Sequence, residues 1–206
     1  TVEFLFPYNY QINNIKSWLE EANLSLILFN SYPGYLEKGE KGIACLIGRE
    51  NEFKEKFSIA LEYAEQLKCP FIHIMPGIEL DEKYRNKYRD IFKKNLSYAA
   101  SLSKGKNITI LIEAINDKDI PSYHLNYVSD AIDIIEELKH PYLKLQLDLY
   151  HAQIMSGNFL EIEFHPNSTD TMYFIKQAGD STLFYRSDDG GNTLTLYNNG
   201  WPNPGI

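Results

Sequence analysis

"NITILIEAIN", residues 107–116, alternates with period two: Ile108, Ile110 and Ile112 fall on one face, and Thr109, Leu111 and Glu113 on the other. It reads as an apolar strand finished by a carboxylate. "YLKLQLDLYH", residues 142–151, repeats the design, with Leu143, Leu145 and Leu147 opposite Lys144, Gln146 and Asp148, and His151 three residues further on. Successive parallel strands of a βα unit lie side by side, about 4.8 Å apart. Glu113 and Asp148 then meet at the carboxyl edge of a sheet, where parallel α/β folds build their sites.

Working outward, the same alternation of short strand and amphipathic helix fills the first three quarters of the chain. "VEFLF" (2–6), "LSLILF" (24–29) and "PFIHIM" (70–75) read as strands. Helices are expected at 12–23, 52–68, 81–104 and 127–138; in the second, Phe53, Phe57, Ala60, Leu61 and Ala64 share one face. Five strands separated by helices signal a parallel α/β architecture, either part of a (β/α) barrel or an open doubly wound sheet. No GxGxxG follows any strand, so a dinucleotide site has no support. After Asn158 the pattern changes to short alternating strands and tight turns, which divides the chain into 1–158 and a β-rich tail, 159–206.

Composition narrows the function classes. A net charge of −8, with Lys and Arg scattered over helices, leaves no basic stripe for nucleic acid. No apolar run approaches the roughly 18 residues of a membrane span. Cys45 and Cys69 are too few for a disulfide scaffold, and "TVEFLFPY" opens as a strand rather than as a signal peptide. The expectation is a cytoplasmic protein.

Two carboxylates held close repel unless a cation bridges them or one is protonated. Oxygen ligands on rigid strands suit Mg²⁺ or Mn²⁺. The plainer alternative is that Glu113 and Asp148 cap the following helices or sit in solvent. His73, alternating with Phe71 and Met75, reads as a hydrogen-bonded core histidine or a substrate contact. His151 is a candidate by its nearness to Asp148, while Tyr150 reads as packing.

Taken together, "VEFLFPYNY" (2–10), "GEKGIACLIGRENEF" (39–53), "LIEAINDKDIPSYHLN" (111–126) and "LQLDLYHAQIMSGN" (145–158) resemble the hydroxypyruvate isomerases, of the xylose-isomerase-like TIM barrels, in order and spacing. The resemblance implies a (β/α)₈ fold with a divalent metal, Mg²⁺ or Mn²⁺, at its carboxyl face. Glu113 matches the first metal ligand and a catalytic carboxylate, Asp148 the second ligand, and His151 a histidine that contacts substrate oxygens. The implied partner is a small hydroxy-keto acid, with hydroxypyruvate and tartronate semialdehyde interconverted through an enediolate. A ketose 3-epimerase would use similar carboxylates on a larger sugar; "GIACLIGRE" favours the isomerase. The non-enzymatic alternative is a barrel remnant serving as an interaction surface.

The resemblance also implies one more strand and helix before Val2, and two further βα units after Asn158 that carry the third and fourth ligands. Five units do not close an eight-stranded barrel. An incomplete barrel is therefore expected, marginal in stability and impaired in activity unless the tail or a second copy of the chain covers its open edges. In the tail, "FLEIEFHPNS" offers Glu161, Glu163 and His165 as ligand types, none of them in a family-like context. Ser187, Asp189, Gly191 and Thr193 in "SDDGGNTL" follow an Asp-box pattern, and Asp–Gly–Gly between "TLFYR" and "TLTLY" is a hairpin signal.

Overall fold

The structure, a computed structural model, describes residues 1–157, 159–164, 172–178, 181–188 and 195–196. Two compact units divide it, Thr1–His151 and Ala152–Ile206. In the first, strands β1 (Val2–Phe4), β2 (Leu26–Asn30), β3 (Phe71–His73), β4 (Thr109–Glu113) and β5 (Leu143–Gln146) form one sheet. Helices α1 (Ile12–Glu21), α2 (Glu50–Leu67), α3 (Arg85–Ser103) and α4 (Val128–Leu138) connect them. The spatial order is the chain order, β1-β2-β3-β4-β5, and every pair is parallel. A doubly wound sheet reverses its order part-way; this one does not, which is the winding of a TIM barrel.

The two strand faces differ as the alternation dictates. Phe29, Ile72, Ile110 and Leu143 stand in register across four strands and are fully buried. They join one core with Phe53, Phe57, Ala60 and Ala64 of α2 and with Phe92, Leu96, Ala99 and Ala100 of α3. Alternate positions face the other way: Leu28 and Leu111 are half-buried, and Phe71 is exposed. That second face ends at Glu113 and Gln146, which are partners across β4 and β5.

Local signals set where the helices stop. Helix α2 ends at Lys68 and α4 at Lys139, both in the left-handed conformation. In each case a proline lies two residues on, Pro70 and Pro141, where the helix cannot continue. The long loop after β2 is fastened at its far end by Arg49, whose guanidinium grips Glu52 at 2.6 and 2.7 Å and Glu40 at 2.8 Å. At its middle, Gly42 (φ +117°) bridges to Pro76, and a Cβ there would collide with the Met75 carbonyl. Gly42→Ala is expected to cost about 2 kcal/mol, combining left-handed strain with that clash, and to lower Tm by roughly 4–8 °C. Thermal unfolding checks this, and an unchanged Tm would show that the two loops do not meet so closely.

Several element ends differ from the sequence reading; the strands expected at 2–6, 24–29 and 70–75 run Val2–Phe4, Leu26–Asn30 and Phe71–His73. The strand expected at 142–148 ends at Gln146, and a helix given no range by the sequence, α5 (Leu149–Ser156), follows, as the reading of Asp148 as a cap requires. Asp148 explains both, because its Oδ1 accepts from the backbone N–H of Tyr150 (2.8 Å) and of His151 (3.2 Å), an N-cap geometry. Cys45 and Cys69 are free, buried thiols.

The second unit holds an antiparallel sheet in the order β6 (Phe159–Phe164), β7 (Met172–Ala178), β8 (Ser181–Ser187) and β9 (Thr195–Leu196). The hairpin expected from Asp–Gly–Gly corresponds to the β8–β9 pairing, Tyr185 opposite Leu196 and Arg186 opposite Thr195. Asp189, Gly191 and Thr193 of the Asp-box pattern lie outside the described residues, as do His165 and the side chains of Glu161 and Glu163. No helix among the described residues is long and apolar enough to cross a membrane.

Candidate active site

Glu113 finishes β4, Asp148 immediately precedes α5, and His151 lies in the first turn of α5. Each offers one ligand atom, and those atoms all lie within 4.8 Å of one another. Two adjacent parallel strands and the turn after the second thus gather two carboxylates and an imidazole at the carboxyl edge of the sheet.

Glu113 is only 7% exposed. Burial first, then the charges of Asp148 and Glu3, push its carboxyl up to about 7, against a hydrogen bond from Gln146 that favours the charged form. A carboxyl so placed exchanges its proton near neutral pH, which suits acid–base work.

His73 lies on β3, fully enclosed, with Nδ1 3.8 Å from Glu113 Oε2. Burial lowers its pKa to about 4, so the ring is neutral at physiological pH. Its Nδ1 sits 2.9 Å from Asn30 Oδ1. An amide oxygen only accepts, so Nδ1 carries the hydrogen and Nε2 presents a lone pair.

That lone pair is one of three buried side-chain atoms without a hydrogen-bond partner among the described residues; the others are Tyr123 OH and Gln146 Oε1. His73 and Gln146 adjoin Glu113, and the Tyr123 phenol feels its charge. Gln146 is the cross-strand partner of Glu113, and the Glu113 charge, after burial, raises the Tyr123 phenol. Unmet buried polar atoms are costly, so their gathering around one carboxylate marks a place built for a polar guest. Two carboxylate oxygens beside them are a donor set that Mg²⁺ or Mn²⁺ accepts. The residues fit a divalent metal.

Residues 1–183 match the family model described as a xylose isomerase-like TIM barrel. The chain belongs to the xylose isomerase-like TIM-barrel family. Within this family it is 39% identical over 157 residues to a 2-oxo-tetronate isomerase of Cupriavidus necator, covering 76% of this chain and 60% of that protein. To the hydroxypyruvate isomerase of Escherichia coli it is 37% identical over 156 residues, with coverage of 76% and 60%. The crystal structure of an AP endonuclease, family 2, from Brucella melitensis superposes with a TM-score of 0.72 at 40% identity, over 76% of this chain and 60% of that one. The chain thus spans about 60% of the length of these curated relatives.

Three residues of the site escaped the sequence reading. Gln146 had a signal, since it shares the face of Asp148 two positions earlier. Tyr123 arrives from the loop between β4 and α4, through the bridge Ile78–Tyr123, and no periodicity announces it. Asn116 follows Glu113 by three and opens the turn "NDKD". Tyr150, read as packing, is instead 57% exposed, with its hydroxyl 3.4 Å from Asp119 Oδ1.

Proposed function

We propose that the chain carries the proton-transfer site of an isomerase acting on small hydroxy-keto acids, interconverting hydroxypyruvate and tartronate semialdehyde. The observation that carries this reading is Glu113, a buried carboxyl gathered with Asp148 and His151 at the carboxyl edge of the sheet. Glu113 takes a proton from the hydroxyl-bearing carbon of the substrate, the hydroxyl proton passes to the former carbonyl oxygen, and the proton is returned to the neighbouring carbon. His73 offers a lone pair and His151 a ring nitrogen to the substrate oxygens, while the apolar walls of the strands limit water around Glu113. Glu113 and Asp148 would hold Mg²⁺ or Mn²⁺, whose Lewis acidity, when bound, favours the negative charge developing on those oxygens. Relatives named hydroxypyruvate isomerase and 2-oxo-tetronate isomerase support a three- or four-carbon acid as the substrate class.

The test is turnover by the purified 206-residue chain of hydroxypyruvate and, in parallel, of a 2-oxo-tetronate, with Mn²⁺ and with a chelator. Isomerisation that stops on chelation is expected. A folded, Mn²⁺-supplied chain that converts neither acid would overturn the proposal.

A further inference from the structure

We infer that Asn116 is a positioning residue that holds His151 as its Nε2–H tautomer, so that the histidine which the family resemblance sets against a substrate oxygen meets it as a hydrogen-bond donor. What His151 meets rests on the isomerase reading above; the tautomer rests on hydrogen-bond geometry alone.

The argument starts with the orientation of the Asn116 amide. Asn116 is fully buried, and its Oδ1 accepts from the backbone N–H of Lys118 (3.0 Å) and of Asp119 (2.9 Å). Reversing the amide would aim NH₂ at two N–H donors and its oxygen at the Asp119 carboxylate. The amide nitrogen therefore faces the other way, where it has two hydrogens and two takers. Asp119 Oδ2 stands at 3.0 Å and His151 Nδ1 at 2.6 Å. The backbone N–H of Asn116 also points at His151 Nδ1, at 3.4 Å.

Two donors converge on one ring nitrogen, so Nδ1 must present its lone pair. The competing acceptor, Asp119 Oδ2, is 4.0 Å from Nδ1, beyond hydrogen-bond range. A neutral imidazole whose Nδ1 accepts carries its hydrogen on Nε2. That nitrogen then has no lone pair for a cation, and the three-residue cluster separates by role: the carboxylates of Glu113 and Asp148 toward the metal, His151 toward substrate. His73 has the opposite tautomer, so one histidine donates where the other accepts.

The experiment uses the full chain, metal-free and labelled with ¹⁵N-histidine, at a mildly alkaline pH. Long-range ¹H–¹⁵N correlation distinguishes a bare ring nitrogen from a protonated one, and His151→Gln assigns the signals. The wild type should show bare Nδ1 and protonated Nε2. Asn116→Asp keeps the oxygen that closes the turn but replaces the donor with an acceptor, so it should move the hydrogen to Nδ1; Asn116→Ala should give a mixture. In the turnover assay Asn116→Asp should lose at least about tenfold in kcat, with a smaller change in KM.

A wild-type spectrum with hydrogen on Nδ1 overturns the inference without any variant. So does the wild-type tautomer persisting in both variants, or a reversed tautomer with full turnover. A wild-type chain with the expected spectrum but no turnover would remove the isomerase reading and leave the tautomer assignment supported.

Discussion

Replacing Glu113 with glutamine is expected to remove turnover and, in the metal-free chain, to raise stability at neutral and alkaline pH. The two effects share a cause. The folded chain buries a carboxyl beside the negative charges of Asp148 and Glu3, which lifts it from 4.5 to about 7. A folded pKa above the unfolded one means that the folded state holds the proton more tightly. The contribution of Glu113 to stability is then fully present below about pH 4.5 and is lost as pH rises through about 7. The loss amounts to about 3 kcal/mol on the alkaline side. Glutamine fills the same space without charge, so Glu113→Gln escapes that loss. Urea unfolding should show the variant ahead of wild type at about pH 8 and level with it at about pH 4. On the proposed reaction the variant lacks its proton acceptor, and turnover should fall by roughly 10²–10⁴-fold. A variant less stable than wild type at alkaline pH, or one that keeps its turnover, would contradict the role given to Glu113. Mn²⁺ bound at the wild-type site would offset the same charge, so the stability comparison belongs in chelator.

This tension between site and fold also explains how much could be read from residue order. Period-two alternation reports which face of a strand is buried, and it separated Ile108, Ile110 and Ile112 from Leu111 and Glu113 because packing under the helices demands that separation. Adjacency of successive parallel strands then placed Glu113 near Asp148. What alternation does not report is how a loop returns. Tyr123 reaches the Glu113 neighbourhood because residues 117–127 fold back, with Ile115 N–H donating to the Leu125 carbonyl and Tyr123 bridging to Ile78. The Asn116 side chain is set by three hydrogen bonds to Lys118 and Asp119 within a turn and one to His151, 35 residues away. Helix α5 was hidden because "LQLDLYHA" is apolar enough to pass for a longer strand. The choice falls to Asp148, which stops the strand by accepting the N–H groups of the next turn.

Asp148 therefore serves both the fold and the proposed metal site, and two substitutions should separate those duties. Asparagine preserves an oxygen for the N–H groups of Tyr150 and His151, so Asp148→Asn should keep α5 capped. It removes the negative charge that a divalent cation needs, and Mn²⁺ affinity, read by calorimetric titration, should fall at least about 100-fold, the upper range for loss of a mere supporting contact. Alanine removes both functions. Asp148→Ala should match the asparagine variant in lost Mn²⁺ affinity while also losing about 1 kcal/mol of metal-free stability from the missing cap. A third signature follows from Glu113, whose carboxyl the Asp148 charge helps to raise. Both variants should lower that pKa, so the alkaline loss of stability shrinks in each. Undiminished Mn²⁺ affinity in Asp148→Asn would mean that this carboxylate is a cap alone. Equal metal-free stability of the two variants would mean that the hydrogen bonds to Tyr150 and His151 contribute nothing to α5.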